Sequence, residues 1–368
     1  LYQIVYLDRV PDFAAIDTAV DIGKKECGKK TAGFLNAVLR KAAKSHKDVA
    51  FPDPDKSPVQ WICVRHAMPS WLVKRWLNAY GNEQTESLCA QLNTIPSIVA
   101  RTNTLKTDRQ TLTDHLAEET GTIRPTAFAR QGLTFSNPDK AIFEMSSFQN
   151  GWFQIQDEAA QIVSEILNPK PGETILDACA GRGGKSGHIA QLMENRGRLT
   201  AMDIEAYKLD ALIQEAARLG IDIIQTKQAD LIKTSIKDFD GFFDRVLLDA
   251  PCSGLGVLRR NPDTKWKRSA QDIVRMAGRQ KKMMNAAANL VKPGGVLVYA
   301  VCSCENEENE GVVRHFLSKR KDFEIDRHFN YDSYSKWITK DLFLKTFPEL
   351  NDMDGFFTAR LRRKPKNS

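Results

Sequence analysis

The spacing of apolar and polar positions divides the chain into three stretches. Residues 1–86 repeat apolar positions at the three- and four-residue intervals of helices, which predicts a helical domain. Residues 87–148 carry short mixed elements, with predicted strands over 98–103 and within 141–145, and indicate a small α+β module. From 149 to 368, apolar runs alternate regularly with amphipathic stretches. This alternation predicts an α/β domain whose mostly parallel sheet is covered by helices on both faces.

The α/β stretch supplies a series of individual elements. Its predicted strands cover 174–178, 198–203, 222–229, 246–248, 295–301 and 355–361. Its predicted helices cover 186–194, 206–219 and 271–290. Ligands of open α/β sheets bind beyond the carboxyl ends of the strands, so those ends are the candidate positions for chemistry. The last strand alternates enough to be antiparallel, at or beside an edge of the sheet.

Two of these strands end in a cysteine. The run 246–248 is followed by Asp249, Pro251 and Cys252, and the run 295–301 is followed by Cys302. A free cysteine is most often a small buried apolar residue, and one alone would carry no functional meaning. Two at matching strand ends would meet in one cleft, and one of them follows an acid and a proline. We therefore predict a site that contains both thiols.

The glycine-rich turn over 179–186 leaves three interpretations open. A phosphate-binding loop requires a first glycine where Cys179 stands, and a dinucleotide fingerprint requires a third glycine where Ser186 stands. The third interpretation is S-adenosylmethionine, which has no phosphate and needs no strict phosphate cradle. Asp203, at the end of the next strand, suits a ribose diol, and Asp230, after the third strand, lies where an adenine would be.

Composition narrows the class of protein without deciding it. A chain of 368 residues is too long for one ordinary core, and no apolar run approaches the length of a membrane span. Seven cysteines without framework spacing favour reduced thiols in a cytosol. Lys and Arg number 53 against 46 Asp and Glu, a net charge of +7 that permits nucleic acid as a partner. The start at Leu1, without a methionine and in predicted helix, suggests an incomplete N-terminus.

Together these motifs resemble the RsmB/NOP2 family of RNA 5-cytosine methyltransferases. Three segments carry the resemblance in the family's order: Leu176-Asp-Ala-Cys-Ala-Gly-Arg-Gly-Gly-Lys185, Asp249-Ala-Pro-Cys-Ser-Gly254 and Tyr299-Ala-Val-Cys-Ser303. Flanking motifs of that family resemble three further segments, 156–160, 257–266 and 354–361. The NusB-like domain of its bacterial 16S ribosomal RNA subfamily is similar to segments 34–40 and 69–72. The chain departs from the family at Gly181-Arg182, where Ala-Pro is usual, and at Val301, where Thr is usual.

The resemblance implies a fold and a reaction. A Rossmann-like class I methyltransferase domain would cover 149–368, preceded by a helical NusB-like RNA-binding domain over 1–86 and the α+β module over 87–148. Its cofactor would be S-adenosylmethionine, and its product 5-methylcytosine in RNA, with 16S ribosomal RNA as the expected partner. Cys302 would add to carbon 6 of the base, since carbon 5 is a poor nucleophile until such an adduct forms. Cys252 would assist the later release.

The implied site residues fall into three groups. The catalytic candidates are Cys302, Cys252, Asp249, which would hydrogen-bond the cytosine edge, and Lys185 near it. The candidates for cofactor binding are Cys179, Ala180, Gly181, Arg182, Gly183, Gly184, Lys185, Asp203, Asp230 and Asp249. The candidates for substrate binding are Pro251, whose carbonyl would accept from the exocyclic amine, and the basic-aromatic stretch of Arg259, Arg260, Lys265 and Trp266. That stretch has the composition of an exposed loop or of a phosphate-contacting and stacking surface.

Two other functions compete with the methyltransferase. An NAD-dependent dehydrogenase would use the same sheet, but the missing third glycine and the two strand-end thiols disfavour it. An RNA-binding assembly factor with a relic catalytic domain is disfavoured by the joint presence of both thiols, Asp249 and Lys185. Zinc bound by Cys302, Cys304 and Cys252 is disfavoured because the usual spacing and a histidine partner are missing, so no metal is expected. We expect a cytoplasmic monomer that does not enter a membrane.

Overall fold

A computed structural model describes residues 1–365 of the chain. Its residue contacts divide it into two compact units, Leu1–Ala67 and Met68–Ser368. The first unit is helical: α1 (Tyr2–Tyr6), α2 (Asp12–Cys27), α3 (Lys29–Ser45) and α4 (Pro58–Arg65). Its buried apolar side chains are Ala15, Ile16, Ala32, Leu39 and Ile62. The boundaries predicted at 86 and 148 remain predictions.

The second unit opens with a long helix and a small sheet. Helix α5 (Ser70–Gln91) is interrupted at Gly81, whose φ of 78° is not helical. The elements that follow are β1 (Ile98–Thr102), α6 (Arg109–Ala117), β2 (Ile123–Pro125), β3 (Gly132–Phe135), α7 (Ser146–Gln149) and β4 (Phe153–Ile155). The four strands form an antiparallel sheet in the order β2-β3-β1-β4. The predicted α+β character is correct, but the strand predicted within 141–145 is wrong. Residues Ile142–Glu144 form a 3-10 helix instead.

The remainder of the unit alternates helix and strand. Its elements are α8 (Glu158–Leu167), β5 (Thr174–Asp177), α9 (Gly184–Leu192), β6 (Arg198–Asp203), α10 (Ala206–Leu219), β7 (Ile224–Gln228), β8 (Phe243–Asp249), α11 (Thr264–Lys267), α12 (Ala270–Leu290), β9 (Val291–Val301), α13 (Glu310–Lys319), β10 (Phe323–Ile325), β11 (Leu344–Lys345), α14 (Pro348–Asn351) and β12 (Phe357–Arg363). Strands run in the order β10-β12-β9-β8-β5-β6-β7, and β11 pairs with β12. The five strands from β9 to β7 are parallel, and β12 is antiparallel to both of its neighbours in that order. The predicted α/β fold is confirmed.

The sheet is buried on both faces because successive side chains of a strand point to opposite sides. Leu176, Val246 and Leu248 belong to one apolar core, in which helices α12 and α13 take part. Ile175 and Leu247, their neighbours along the same strands, belong to the other core, with helices α8 and α9. Strands buried on both faces read as continuous apolar runs, which is why 246–248 and 295–301 could be recognised in the sequence.

Three hydrogen bonds tie the front of this unit to the end of strand β9 and to the glycine-rich turn. From α5, Trp76 donates from its indole nitrogen to Glu305 at 2.9 Å, and the Tyr80 hydroxyl donates to the Cys304 carbonyl at 2.6 Å. From β1, the fully buried Arg101 donates to the Gly184 carbonyl at 2.8 Å, as well as to glutamine side chains. The α+β module and the α/β sheet are therefore joined by buried polar contacts. Along the described chain, no helix combines the length and the apolar character needed to cross a membrane.

Candidate active site

The glycine-rich turn connects β5 to α9 and requires its glycines at two positions. Gly183 has a φ of 85° and directly precedes α9, and a Cβ atom there would lie 2.6 Å from Cγ of Leu212. Gly181 has a φ of 55° and donates its backbone N–H to the Asp203 carboxylate at 2.9 Å. The left-handed conformation, which glycine adopts without strain, allows the backbone to pass close to a ligand bound beyond the strand ends.

A cavity of about 450 Å³ opens at the carboxyl ends of the parallel strands. Six of the predicted residues line it: Cys179, Gly181, Asp203, Asp230, Asp249 and Pro251. The cavity falls in the size range of small-molecule sites, and it combines apolar walls with a few polar groups. Its apolar wall contains Ile204, Leu231 and Met283, and its rim contains Lys208 and Arg279, none of which was predicted.

The two acids that end β6 and follow β7 are already held by the backbone. Asp203 accepts from the N–H groups of Gly181 and Glu205, at 2.9 and 3.0 Å, and lies 3.8 Å from the Lys208 amine. Asp230 accepts from the N–H of Ile232 at 3.0 Å. These bonds fix the direction of each carboxylate, and a carboxylate has further lone pairs with which to accept from a ligand.

The two strand-end thiols meet. Strands β8 and β9 are adjacent and parallel, with Asp249 opposite Ala300, so the loops after them leave the sheet side by side. The sulfur atoms of Cys252 and Cys302 lie 3.3 Å apart, within hydrogen-bonding distance. The hydrogen bond with Cys302, together with burial, raises the pKa of the Cys252 thiol well above its usual range.

An ion pair lies beside the thiols at the end of β8. The Lys185 amine lies 2.6 Å from the Asp249 carboxylate, and both side chains are mostly buried. Burial alone would lower the pKa of Lys185, but the charge of Asp249 and the hydrogen bond to it outweigh burial and raise the pKa. The amine also lies 5.1 Å from the centre of the Phe356 ring. Lys185 therefore stays charged and holds Asp249 in place.

A buried carboxylate that the sequence analysis missed joins the two cysteine loops. Glu308 is fully buried and accepts four hydrogen bonds. One oxygen accepts from the Ser253 N–H at 2.8 Å and from the Gln280 amide at 3.0 Å; the other accepts from the hydroxyls of Ser253 and Ser303, at 2.5 and 2.6 Å. Ser253 and Ser303 directly follow Cys252 and Cys302, so this carboxylate fixes both loops at once.

Comparison with known proteins identifies the family. The model of the 16S rRNA methyltransferase RsmB/F family matches residues 164–362, a ferredoxin-like domain model of RsmF/B-like methyltransferases matches 68–141, and the NusB family matches 1–44. The chain is 38% identical to "Probable ribosomal RNA small subunit methyltransferase B" of Bacillus subtilis, over 99% of this chain and 81% of that protein. It is 37% identical to the protein of the same name from Synechocystis, over the same shares.

The chain belongs to the RsmB/F methyltransferase family. A methyltransferase homologue from Pyrococcus horikoshii has the same fold, with a TM-score of 0.72 and 27% identity over 83% of this chain and 99% of its own. The methyltransferase fold, the NusB-like front and the family predicted from the sequence are thereby confirmed. The roles of individual residues remain predictions.

In this methyltransferase the two arginines of the basic-aromatic stretch form ion pairs within the protein. The Arg259 side chain is only 1% exposed and is held by Asp352 and, at 3.9 Å, Asp354. Arg260 donates to Asp354 at 2.8 Å and to Asp157 at 2.9 Å. The acids come from a distant part of the chain, next to β12. Both guanidinium groups are therefore paired within the protein; Arg259 is buried whereas Arg260 is exposed, and their role in binding phosphate remains a prediction.

The rest of the stretch divides between buried and exposed positions. Lys265 is buried, and its amine contacts the Asn93 side chain at 3.3 Å. Trp266 is 60% exposed, and Arg260 is the other exposed member of the stretch. The Pro251 carbonyl, predicted to face the substrate, accepts from Gln280 at 3.0 Å and keeps a second lone pair.

The remaining predicted residues lie around the cavity rather than in its wall. Ala180, Gly183, Gly184 and Lys185 shape the turn and the start of α9, whereas Arg182 lines a neighbouring groove. Cys304 is buried, and burial raises the pKa of its thiol, so it is no rival to the thiol pair. Within residues 1–365, no group of three or more His, Cys, Asp or Glu side chains is arranged to hold a metal ion.

Proposed function

We propose that this methyltransferase transfers a methyl group from S-adenosylmethionine to carbon 5 of a cytosine in 16S ribosomal RNA, through a covalent adduct between Cys302 and carbon 6. The observation that carries the proposal is the thiol pair, 3.3 Å between sulfur atoms, beside the Lys185–Asp249 ion pair. A methyltransferase acting on a nucleophilic oxygen or amine has no use for two adjacent thiols. The relatives named ribosomal RNA small subunit methyltransferase B support the choice of RNA.

The cavity suits S-adenosylmethionine in the character of its donors and walls. Asp203 would accept from the ribose hydroxyls, and Asp230 would lie beside the adenine. The apolar side chains of Leu231 and Met283 offer contacts to a flat aromatic base. When bound, the cofactor supplies an electrophilic methyl group. The glycine-rich turn lacks the glycine that a Walker phosphate loop requires at position 179, which agrees with a cofactor that carries no phosphate.

The first step forms the bond between sulfur and carbon 6. Cys302 loses its proton, the thiolate adds to carbon 6, and the ring electrons move toward the N3–O2 edge, leaving carbon 5 nucleophilic. We assign the donor role to Cys252, whose S–H would donate to the Cys302 sulfur and favour the thiolate there. The Lys185–Asp249 pair would lie along the polar edge of the base and stabilise the displaced charge.

The last step restores the aromatic ring. After carbon 5 has taken the methyl group, its proton is lost to a base, the C–H electron pair re-forms the C5–C6 double bond, and Cys302 leaves carbon 6. Cys252 lies close enough to protonate the departing sulfur, and we assign it to this release. In sum, the cytosine exchanges one hydrogen for one methyl group. Of the two protons released, one from Cys302 and one from carbon 5, one restores the Cys252 thiol and the other goes to solvent.

Trapping experiments with cysteine variants test the assignment. Cys302→Ala should neither methylate RNA nor form a covalent complex, because it lacks the nucleophile. Cys252→Ala should accumulate a protein–RNA adduct that survives denaturing electrophoresis and disappears in the Cys252/Cys302 double variant. Cys304→Ala, which changes the buried third thiol, should keep activity. An adduct with Cys302→Ala and none with Cys252→Ala would exchange the two roles, and an active Cys302→Ala enzyme would end the covalent proposal.

A further inference from the structure

A second groove, of about 400 Å³, lies next to the cofactor cavity and has no role in the chemistry described so far. The 3-10 helix and α7 of the α+β module contribute Phe143 and Phe148 to it, β4 contributes Ile155, and the glycine-rich turn contributes Arg182. Phe143 is 66% exposed and Ile155 39% exposed. Large apolar side chains in such a position leave a flat surface uncovered beside the site.

Among the residues that the structure describes, Arg182 is the charged member of this groove's lining that has no ion pair. Glu215 is paired with Arg218, with nitrogen–oxygen distances of 2.5 and 2.9 Å, so its charge is compensated. The Arg218 guanidinium also covers one face of Phe148, 3.7 Å from the ring centre. Arg182 is exposed and directly follows Gly181, which lines the cofactor cavity. The groove thus offers an open aromatic ring and a free cation, and it adjoins the cavity.

We propose that this groove binds one unpaired nucleotide of the RNA strand, next to the target cytosine, with its base stacked on Phe143 and its phosphate contacting Arg182. The inference rests on the proposed function, because it assumes an RNA substrate. An aromatic ring with a neighbouring cation is the arrangement by which proteins hold single-stranded nucleic acid. A target base must leave its stack to reach the thiols, and a stacking platform for its neighbour compensates part of that cost.

The partners of the arginines that were predicted to contact RNA also bear on the assignment of this groove. Arg259 is buried and paired with Asp352, and Arg260 is paired with Asp157 and Asp354, so both of these cations already have partners within the protein. Arg182 occupies the position at which the family resemblance leads one to expect proline. The substitution places a cation where the rigid residue would have offered none. The groove therefore adds an exposed cation, Arg182, on its own side of the cavity.

The experiment compares RNA affinity among variants of the full chain. The probe is a short, fluorescein-labelled, cytosine-rich single-stranded RNA, and the readout is fluorescence anisotropy. Phe143→Ala should weaken binding roughly 5- to 150-fold, the range for loss of one base–aromatic stack, and Phe143→Trp should restore it. Arg182→Gln should reduce the dependence of log affinity on log salt by roughly 0.7, as expected for one lost single-strand phosphate contact. The matched control is Phe242→Ala, an exposed phenylalanine of the same unit that lines a different cavity.

The outcomes separate the groove from the reaction. The stacking proposal is wrong if Phe143→Ala binds the RNA as tightly as Phe242→Ala does, or if its affinities for duplex RNA and for single-stranded RNA fall by the same factor. Neither result would contradict the proposed methylation. If wild-type chain methylates no cytosine in 16S ribosomal RNA, the proposed function fails first. S-adenosylmethionine affinity, measured by calorimetry, should be the same in Phe143→Ala and the parent, which excludes a general loss of structure. A large loss of S-adenosylmethionine affinity in Phe143→Ala would mean that Phe143 supports the fold and does not bind RNA.

Discussion

Removing the Glu308 carboxylate should loosen both cysteine loops, and the structure allows the cost to be worked out. In Glu308→Ala, four donors lose an acceptor in a fully buried place. Two of the losses are softened: the Gln280 amide still donates to the Pro251 carbonyl at 3.0 Å, and the Ser253 and Ser303 hydroxyls lie 3.2 Å apart and can bond each other. The Ser253 N–H and one hydroxyl hydrogen are left without a partner.

Two buried unsatisfied groups cost about 1–3 kcal/mol each, so Glu308→Ala should lower the free energy of unfolding by about 2–6 kcal/mol. That is a large part of the 5–15 kcal/mol that stabilises an ordinary domain. Glu308→Gln should cost much less, because its oxygen can accept from the two N–H donors while its amide donates to the serine hydroxyls. The contrast between the two variants isolates the hydrogen bonds from the volume of the side chain.

Urea unfolding measures the stability, and single-turnover methylation of RNA measures the effect on the thiols. Because a displacement of about 1 Å at reacting atoms can cost 10²-fold in rate, we expect Glu308→Ala to lose rate more than RNA affinity. Glu324→Ala, an exposed glutamate on edge strand β10, is the control. A Glu308→Ala protein with parental stability and rate would refute the idea that this carboxylate holds the loops together.

Two further predictions concern acids at strand ends. Asp203→Ala should weaken S-adenosylmethionine binding, measured by calorimetry, by roughly 10- to 150-fold, because it loses a hydrogen bond to a charged acceptor. Asp203→Asn should lose less affinity. If the chain binds NAD but not S-adenosylmethionine, the cofactor assignment is wrong. Burial raises the pKa of Asp177 from 3.8 to about 6. The folded chain therefore holds this proton more tightly than the unfolded chain does, and the stability that the proton contributes falls as pH rises from about 4 to about 6. Asp177→Asn should remove up to about 3 kcal/mol of that fall in urea titrations across this range, and a profile parallel to the parent's would show that Asp177 does not titrate there.

The meeting of the two thiols could be predicted because it depends on short-range rules. Each cysteine follows an apolar run that had to be a buried strand, and the ends of adjacent parallel strands lie at one edge of a sheet. The acid Asp203 could be placed at the cavity by the same rule. Periodicity and strand order were sufficient for these residues.

What could not be predicted depends on contacts between distant segments. Glu308 lies six residues after Cys302, and only the fold brings it to Ser253. Arg259 has the appearance of a surface residue until β12 places Asp352 and Asp354 beside it. The segment 142–144 is apolar enough for a strand, but no neighbouring strand pairs with it, and it turns into a 3-10 helix. In each case the sequence gives the residue but does not show which distant residue it contacts.

The buried contact between Trp76 and Glu305 has a consequence for synthesis. The two residues are 229 positions apart, so the partner of the indole leaves the ribosome long after α5 does. At 5–20 residues per second the delay is roughly 10 to 50 s. During it, α5 lacks both this hydrogen bond and its contacts with α14. The hydrogen bond that joins the first helix of the unit to the loop after β9 can therefore form only late in synthesis.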